Sequence, residues 1–203
     1  MVTLRLFQPD DLSALYAISL ATGHAGGDAS PLYEDQDHIG HIYSAPYALL
    51  APDLALVVVD EHGLAGFAVG ILDTLAWENT LERLWWPKLR ARYLAPAQTS
   101  GQEPTPDQRR IAVIHKPERT APMIAKAYPA HLHLNLLPRI QGRGVGSALL
   151  QAWLDLAGDP AVHVGVNASN SGGVAFWRAR DFQVLDAATE RTIWMGRERG
   201  ARP

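Results

Sequence analysis

One glycine-rich segment of the chain has residue types and spacing that can hold an anion. Residues 141–147 read QGRGVGS and lie between a predicted strand and a predicted helix. The first turn of a helix offers unpaired N–H groups and the positive end of the helix dipole, and glycines let the backbone approach a phosphate closely. Arg143 can add a charge-assisted contact. The segment therefore predicts a site for a phosphate-bearing ligand, although two glycines here would also suit a plain tight turn.

Two familiar nucleotide motifs fail on this segment. A P-loop requires a lysine, and residues 141–147 contain none. The dinucleotide pattern Gly-x-Gly-x-x-Gly, counted from Gly142, would need a third glycine where Ser147 stands. A binder of nucleotide phosphates through either motif is therefore disfavoured. The spacing that fits is Gln-x-x-Gly-x-Gly, on Gln141, Gly144 and Gly146.

With that spacing the chain resembles the GNAT acetyltransferase superfamily, whose loop for the pyrophosphate of acetyl-CoA has this form. Leu136-x-Pro138 precedes the loop as in many such enzymes, and Asn170, Gly173 and Phe182 follow it as the second family element. The order of predicted strands and helices also agrees. The resemblance implies that acetyl-CoA is the co-substrate.

The resemblance also implies where the cofactor lies. The pantetheine arm would occupy a gap between the strand ending at Leu137 and the strand ending at Val166, and backbone N–H groups near Leu136 or Leu137 would polarise the thioester. The family's tyrosine acid falls on Trp177, whose indole cannot give up a proton at neutral pH. The residues expected to bind the cofactor are Leu136, Leu137, Gln141, Gly142, Arg143, Gly144, Val145, Gly146, Ser147, Asn170 and Trp177.

A narrower resemblance runs from about residue 54 to residue 185. Residues 128–138, YPAHLHLNLLP, together with residues 64–73 and the tryptophan-rich stretch after them, are similar to the acetyltransferase-like domain of eukaryotic O-GlcNAc hydrolases and its stand-alone bacterial relatives. Some eukaryotic members of that group are considered pseudo-acetyltransferases. The complete loop at residues 141–146 favours retained acetyl-CoA binding in this chain.

Polar residues alternate with leucines along the strand before the loop. His131, His133 and Asn135 share one face, and His133 and Asn135 are the candidate catalytic residues because an ammonium acceptor must lose a proton before it attacks. His133 as a buried structural residue is the competing interpretation. His131 and His133 also form a conceivable metal pair, but the sequence places no third ligand, so no metal is expected.

The periodicity of apolar residues predicts the surrounding elements. A hairpin and an amphipathic helix, with a parallel strand after it, indicate an α/β (α+β) fold of the GNAT type, with a mixed central sheet of about six or seven strands and helices on both faces. The strands are expected at residues 2–7, 54–59, 64–71, 131–137, 162–166, 182–185 and 192–195. The helices are expected at residues 12–20, within 37–50 with an interruption at Pro46, 74–86 with a restart at Pro87, 145–157 and 174–180.

Residues 73–129 separate the hairpin from the strand with the histidines. Trp77, Leu81, Leu84 and Trp85 are spaced for one packed helical face, whereas residues 97–110 are polar, contain glycine and proline, and predict a long loop. We interpret residues 73–129 as a helical insertion that caps the acceptor side of the site.

Length and composition limit the alternatives. A chain of 203 residues predicts a single domain spanning residues 1–203. The absence of cysteine excludes thiol nucleophiles and disulfides, and a net charge of −3 argues against a nucleic-acid binder. With no apolar run long enough for a bilayer and no signal-peptide layout at the N-terminus, we expect a cytoplasmic monomer or homodimer without membrane association.

The sequence therefore predicts an acetyl-CoA-dependent N-acetyltransferase. The alternative is a non-catalytic acetyl-CoA-binding or interaction module of the same fold. The acceptor stays open among small amines, antibiotics, peptides and protein lysines.

Overall fold

A seven-stranded mixed sheet forms the centre of the protein, in the order β1-β2-β3-β4-β5-β7-β6. The structure is a computed structural model and describes residues 2–96, 103–186, 189 and 191–201. The strands are β1 (Thr3–Leu6), β2 (Ala55–Asp60), β3 (Gly63–Ile71), β4 (Ala130–Leu136), β5 (Val162–Asn167), β6 (Gln183–Val184) and β7 (Thr192–Arg197). All neighbouring pairs are antiparallel except β4 and β5, which are parallel.

Helices cover both faces of the sheet, as predicted. They are α1 (Leu12–Ala21), α2 (His38–Tyr43), α3 (Ala45–Leu50), α4 (Thr74–Leu84), α5 (Trp86–Arg92), α6 (Pro106–His115), α7 (Pro122–Ala127), α8 (Val145–Ala157) and α9 (Ser171–Arg178). Helices α8 and α9 pack on the face that carries Leu132 and Leu136. Residues of α1 to α6 pack on the opposite face, around Phe67 and Val69. Within the described ranges, every helix is too short or too polar to span a lipid bilayer.

The amphipathic pattern of α8 correctly predicts which residues are buried. Leu149, Leu150, Trp153 and Leu154 all lie in the core, and the Trp153 indole donates to the carbonyl of Leu54 at 3.0 Å. This helix connects β4 to β5, and such a crossover is what a parallel pair of neighbouring strands requires. The connection brings the glycine-rich segment to the end of β4.

Three local predictions differ from the structure. The break in the stretch 37–50 lies at Ser44, because Pro46 occupies the first turn of α3, where its missing N–H costs nothing. The predicted loop 97–110 is wrong at its end, since α6 begins at Pro106 behind a capping box of Thr105 and Gln108; residues 97–102 lie outside the described residues. Leu84 is exposed, because the chain turns at Trp85 and buries Trp86 instead.

Helices α4 to α7 occupy the region that the sequence analysis treats as an insertion. Buried residues of α4, α5 and α6 join the same core cluster as α1 and β3; they are Trp77, Leu81, Trp86, Leu89 and Ile114. Residues 73–129 are therefore integrated with the face of the sheet that carries His131 and His133.

Candidate functional site

The glycine-rich segment forms an open turn at the N-terminus of α8. Gly142 and Gly144 have φ angles of +69° and +77°, a region that other residues rarely adopt, and a β-carbon at either position would meet no atom within 4 Å. The first N–H with a partner inside the helix belongs to Ala148, which donates to Gly144. The N–H groups of Val145, Gly146 and Ser147 therefore precede the intrahelical ladder. This turn has the conformation and the free donors that an anionic oxygen needs.

Gly146 has a different role from the other two glycines. It is buried, and a β-carbon there would lie 2.8 Å from Cε2 of Phe176 on α9. The guanidinium of Arg180 stacks 3.7 Å from the centre of that Phe176 ring and donates to the Ser147 hydroxyl at 2.5 Å. Gly146 thus lets α8 and α9 approach closely, and Arg180 ties the two helices beside the turn.

The main-chain N–H and C=O groups of successive β4 residues point alternately towards β3 and towards β5. Leu137 donates its N–H to Ala65 at 2.8 Å, on the β3 side. Alternate residues of an antiparallel pair point to opposite edges, so the main-chain groups of Leu134 and Leu136 face β5. Of the two alternatives predicted to polarise the thioester, Leu136 or Leu137, the N–H of Leu137 is already bonded to Ala65, whereas the N–H of Leu136 faces the β5 edge.

Strands β4 and β5 separate beyond their first residues. Their paired register covers only Ala130 with Val162 and His131 with His163. Gln141 donates from Nε2 to the carbonyl of Leu136 at 2.7 Å, which fixes the glycine-rich turn against the end of β4. The sheet thus opens at the place predicted from the sequence, next to the main-chain N–H of Leu136.

A cavity of about 150 Å³ lies beside this opening, on the face of α1 and α2. His133 and Asn135 of β4 line it together with Asn167 and Asn170, which lie at the end of β5 and just before α9. No residue that lines the cavity carries a carboxylate, an ammonium or a guanidinium group; the others are Ser19, Thr22, Gly23, Ala25, Gly26, Ile39, Tyr43 and Phe67. The cavity is therefore polar but holds no fixed charge.

A chain of hydrogen bonds sets the protonation of His133. Thr74 donates its hydroxyl to the carbonyl of Pro129 at 2.7 Å, so its oxygen accepts from Nδ1–H of His131 at 2.8 Å. Nε2 of His131 is then an acceptor and takes the proton of the Tyr47 hydroxyl at 2.7 Å.

The last link of this chain joins Tyr47 to His133. The Tyr47 oxygen lies 3.2 Å from Nε2 of His133 and, with its own proton given to His131, accepts from that nitrogen. His133 therefore carries its proton on Nε2 and keeps a lone pair on Nδ1.

Burial keeps this group of histidines neutral. The surrounding protein, and then the charge that His163 would carry, lower the pKa of His133 to about 4. Burial and the neighbouring His133 and His163 also lower the pKa of His131, while burial raises the pKa of Tyr47. At neutral pH, His133 is thus an uncharged imidazole that can accept a proton at Nδ1.

Asn135 is oriented by a similar argument. Thr22 donates its hydroxyl to the carbonyl of Ile18 at 2.7 Å, so it accepts from Nδ2 of Asn135, also at 2.7 Å. The amide oxygen of Asn135 is left for another donor. Asn170 caps α9 through its oxygen, which accepts from Gly173 at 2.8 Å. Asn170 therefore lies at the cavity rather than at the glycine-rich turn.

Trp177, the position on which the family's tyrosine acid would fall, packs into the core. Its side chain is buried in the core, with ring-centre distances of 5.0 Å to Phe176 and 4.8 Å to Phe182. Phe176, and not Trp177, is the aromatic residue against Gly146. That Trp177 contacts the cofactor stays a prediction, and the burial of its side chain argues against it.

The sequence analysis did not identify Tyr43, Tyr47 and Arg180. Tyr43 and Tyr47 lie in a short helical stretch far from β4 in the chain, and no spacing rule joins them to His133. Arg180 follows α9 by a few residues, and a lone arginine carries no motif. The described residues contain no group of three or more side chains arranged to hold a metal ion.

Comparisons with known proteins agree with this geometry. No protein-family model matches the chain. The crystal structure of SsHAT is 35% identical in sequence, and the match covers 97% of this chain and 97% of that chain with a TM-score of 0.88.

More distant structures share the fold. The PaiA N-acetyltransferase of Thermoplasma acidophilum, solved in complex with coenzyme A, is 15% identical with a TM-score of 0.58, and the match covers 98% of this chain and 99% of that one. YncA of Salmonella typhimurium, solved with its cofactor acetyl-CoA, is 17% identical with a TM-score of 0.52, over 97% of this chain and 93% of that one.

These matches show that the chain has the fold of N-acetyltransferases. The chain belongs to the GNAT superfamily of N-acetyltransferases.

Proposed function

We propose that the protein transfers the acetyl group of acetyl-CoA to an amine. The observation that carries this proposal is that three features occur together at the end of β4. They are the N–H groups of Val145 to Ser147, the opening between β4 and β5, and the uncharged cavity with His133. Membership of the GNAT superfamily supports acetyl transfer in general. Acetyl-CoA, when bound, supplies an activated acetyl thioester.

The turn and the open strand edge suit the two ends of this co-substrate. The free N–H groups at the start of α8 would bind the pyrophosphate, with Arg143 exposed beside them. The main-chain groups of Leu134 and Leu136 would pair with the amides of the pantetheine arm as an added strand would. Gln141 has a positioning role, because its side chain already bonds the carbonyl of Leu136.

The cavity favours the neutral form of an acceptor amine. No carboxylate lines it, so an ammonium group would lose hydration without gaining a counter-ion. Nδ1 of His133 would then take the proton of the amine as the new N–C bond forms and the C–S bond of the thioester breaks, so that CoA leaves as the thiolate. The oxygen of Asn135 would orient the attacking nitrogen. Tyr47 and His131 act as positioning residues for His133.

Residues 73–129 would cover the acceptor side in this proposal. Helix α4 contributes Thr74 to the histidine chain, and α6 carries Arg110, which bonds the cavity residue Tyr43. The helical region would thus serve the acceptor and leave the glycine-rich turn unaffected.

Release of free CoA from acetyl-CoA in the presence of a broad panel of amines and peptides tests this function. We expect amine-dependent release by the native protein and a loss of about a hundredfold or more in His133→Gln, as typical for a general base. The control is His62→Gln, at an exposed position, which should release CoA at the native rate. If no amine raises release above hydrolysis while acetyl-CoA still binds, the protein is a binding module of the same fold.

A further inference from the structure

Arg110 of α6 is a partly buried cation without a carboxylate partner among the described residues. Its Nε donates to the hydroxyl of Tyr33 at 2.9 Å and its Nη1 to the hydroxyl of Tyr43 at 2.8 Å. The guanidinium also lies over both rings, 5.9 Å and 5.5 Å from their centres. A guanidinium removed from water is normally paired with an anion.

Tyr43 links this cation to the cavity. Its side chain lines the cavity, and its ring centre lies 5.8 Å from that of His133. Arg110 can only donate, so it occupies a lone pair of the Tyr43 oxygen and leaves the hydroxyl proton for another acceptor. The positive charge also strengthens the hydroxyl as a donor.

Two carboxylates near this part of the fold, those of Asp107 and Asp35, are already engaged elsewhere. Asp107, one turn earlier on α6, accepts the N–H groups of Glu34 and Asp35, both at 3.1 Å, and lies 3.3 Å from Nε2 of His38. Asp35 accepts the Tyr93 hydroxyl at 2.7 Å. Arg110 does not itself line the cavity, so its charge reaches the cavity at the Tyr43 hydroxyl.

We propose that the acceptor is an amine that also carries an oxyanion, with a carboxylate as the first choice, bound by Arg110 and the Tyr43 hydroxyl. The inference rests on the proposed acetyl transfer, since it places the amine at His133 and the anion several bonds away at the Arg110 end. Nε and Nη1 of Arg110 already donate to the two tyrosines, so its Nη2 and the Tyr43 hydroxyl are the donors left for the oxygens of a carboxylate or a phosphate. The uncharged lining leaves Arg110 as the group that selects by charge.

Matched acceptors test the charge preference directly. The first pair is γ-aminobutyrate and its primary amide, which have the same length and differ in the charge of the carboxylate. The second pair is aminoethyl phosphate and ethanolamine, which tests a phosphate in the same way. We expect kcat/KM of the native protein to be about tenfold or more higher for the anionic member of a pair, the effect of a charge-assisted hydrogen bond. The pair with the larger ratio identifies the oxyanion. Equal values within both pairs would overturn the inference while leaving acetyl transfer intact.

Variants then assign the preference to Arg110. In Arg110→Gln the ratio of kcat/KM values should fall close to one, because the KM for the anionic acceptor rises. The control is Arg109→Gln, at the exposed neighbouring position, which should keep the native ratio. Tyr43→Phe, which keeps Arg110, should reduce the ratio severalfold and serves if Arg110→Gln does not fold. An unchanged ratio in both folded variants would contradict the assignment.

A binding measurement separates this inference from the proposed function. Calorimetric titration of N-acetyl-γ-aminobutyrate and of its amide into the CoA-saturated protein needs no turnover. Tighter binding of the acid, lost in Arg110→Gln, supports the anion site even if no amine is acetylated. Equal binding, or none of either at millimolar concentration, overturns it.

Discussion

The hydroxyl of Tyr47 accepts a hydrogen bond from Nε2 of His133 across 3.2 Å. The bond joins α3 to β4 and fixes which ring nitrogen of His133 holds the proton. His133 Nδ1, the nitrogen proposed to receive the proton of the acceptor, is basic only in that tautomer.

Removal of the Tyr47 hydroxyl should therefore act on catalysis through His133. In Tyr47→Phe we expect kcat to fall about tenfold, less than for loss of the base itself, with the KM for acetyl-CoA unchanged. Steady-state kinetics over a range of both substrates checks this. An unchanged kcat, or a change confined to the KM for acetyl-CoA, would remove Tyr47 from the account.

Burial of His133 predicts a pH dependence of stability. In the unfolded chain His133 has its ordinary pKa of 6.5, whereas burial lowers its pKa in the folded protein to about 4. The unfolded state therefore holds more protons in this window, so the free energy of unfolding falls as the pH drops from 6.5 towards 4, by up to about 1.4 kcal/mol per pH unit for one group. The stabilising contribution of neutral His133 is complete above this window.

Urea unfolding at a series of pH values measures that slope. His133→Gln should reduce it by up to one proton, and His131 and His163, whose pKa values are also lowered, should supply the remainder. Exposed His62→Gln is the matched control and should leave the slope unchanged. A slope in His133→Gln equal to that of the native protein would show that folding does not lower the pKa of His133.

The contact between Gly146 and Phe176 predicts an unusual effect of alanine in a helix. Gly146→Ala gains about 1 kcal/mol of helix propensity but places a β-carbon 2.8 Å from the ring, and overpacking costs about 1–3 kcal/mol. We expect a net loss of about 1 kcal/mol in the free energy of unfolding. In a Phe176→Ala background, Gly146→Ala should instead raise the free energy of unfolding. If Gly146→Ala changes the free energy of unfolding with the same sign in both backgrounds, the contact is disproved.

The buried position of Trp177 predicts that a tyrosine there restores nothing. Trp177→Tyr would put a hydroxyl among Phe176 and Phe182 and lower stability, as would Trp177→Phe, which makes a similar truncation without the hydroxyl. The two variants should release CoA at the same rate within about threefold. A gain of about tenfold in Trp177→Tyr alone would indicate that position 177 does reach the thioester.

Local patterns in the sequence predicted the features that depend on neighbouring residues. The hairpin of β2 and β3, the buried stripe of α8 and the positive φ of Gly144 follow from alternation, helical period and glycine content. The parallel pairing of β4 with β5 follows from the helix that connects the two strands.

Features that depend on contacts between distant segments could not be predicted in this way. Tyr47 meets His133 across 86 positions, and Arg110 meets Tyr43 across 67. The edge that Leu137 faces depends on the register of β4 against β3, which a single strand does not encode. The capping box at Thr105 was a readable signal, but the surrounding prolines and glycine outweighed it.

Calorimetric titration of acetyl-CoA tests the central claim most directly, with three proteins compared: the native chain, Gly144→Ala and Gly144→Glu. Gly144 has a φ of +77° and open space around it, so alanine adds only backbone strain of about 1–2 kcal/mol, whereas glutamate adds a negative charge beside the predicted phosphate site. We predict binding by the native protein, weaker binding by Gly144→Ala and none detectable by Gly144→Glu. Absence of native binding at millimolar acetyl-CoA, or equal affinity in Gly144→Glu, would contradict the account.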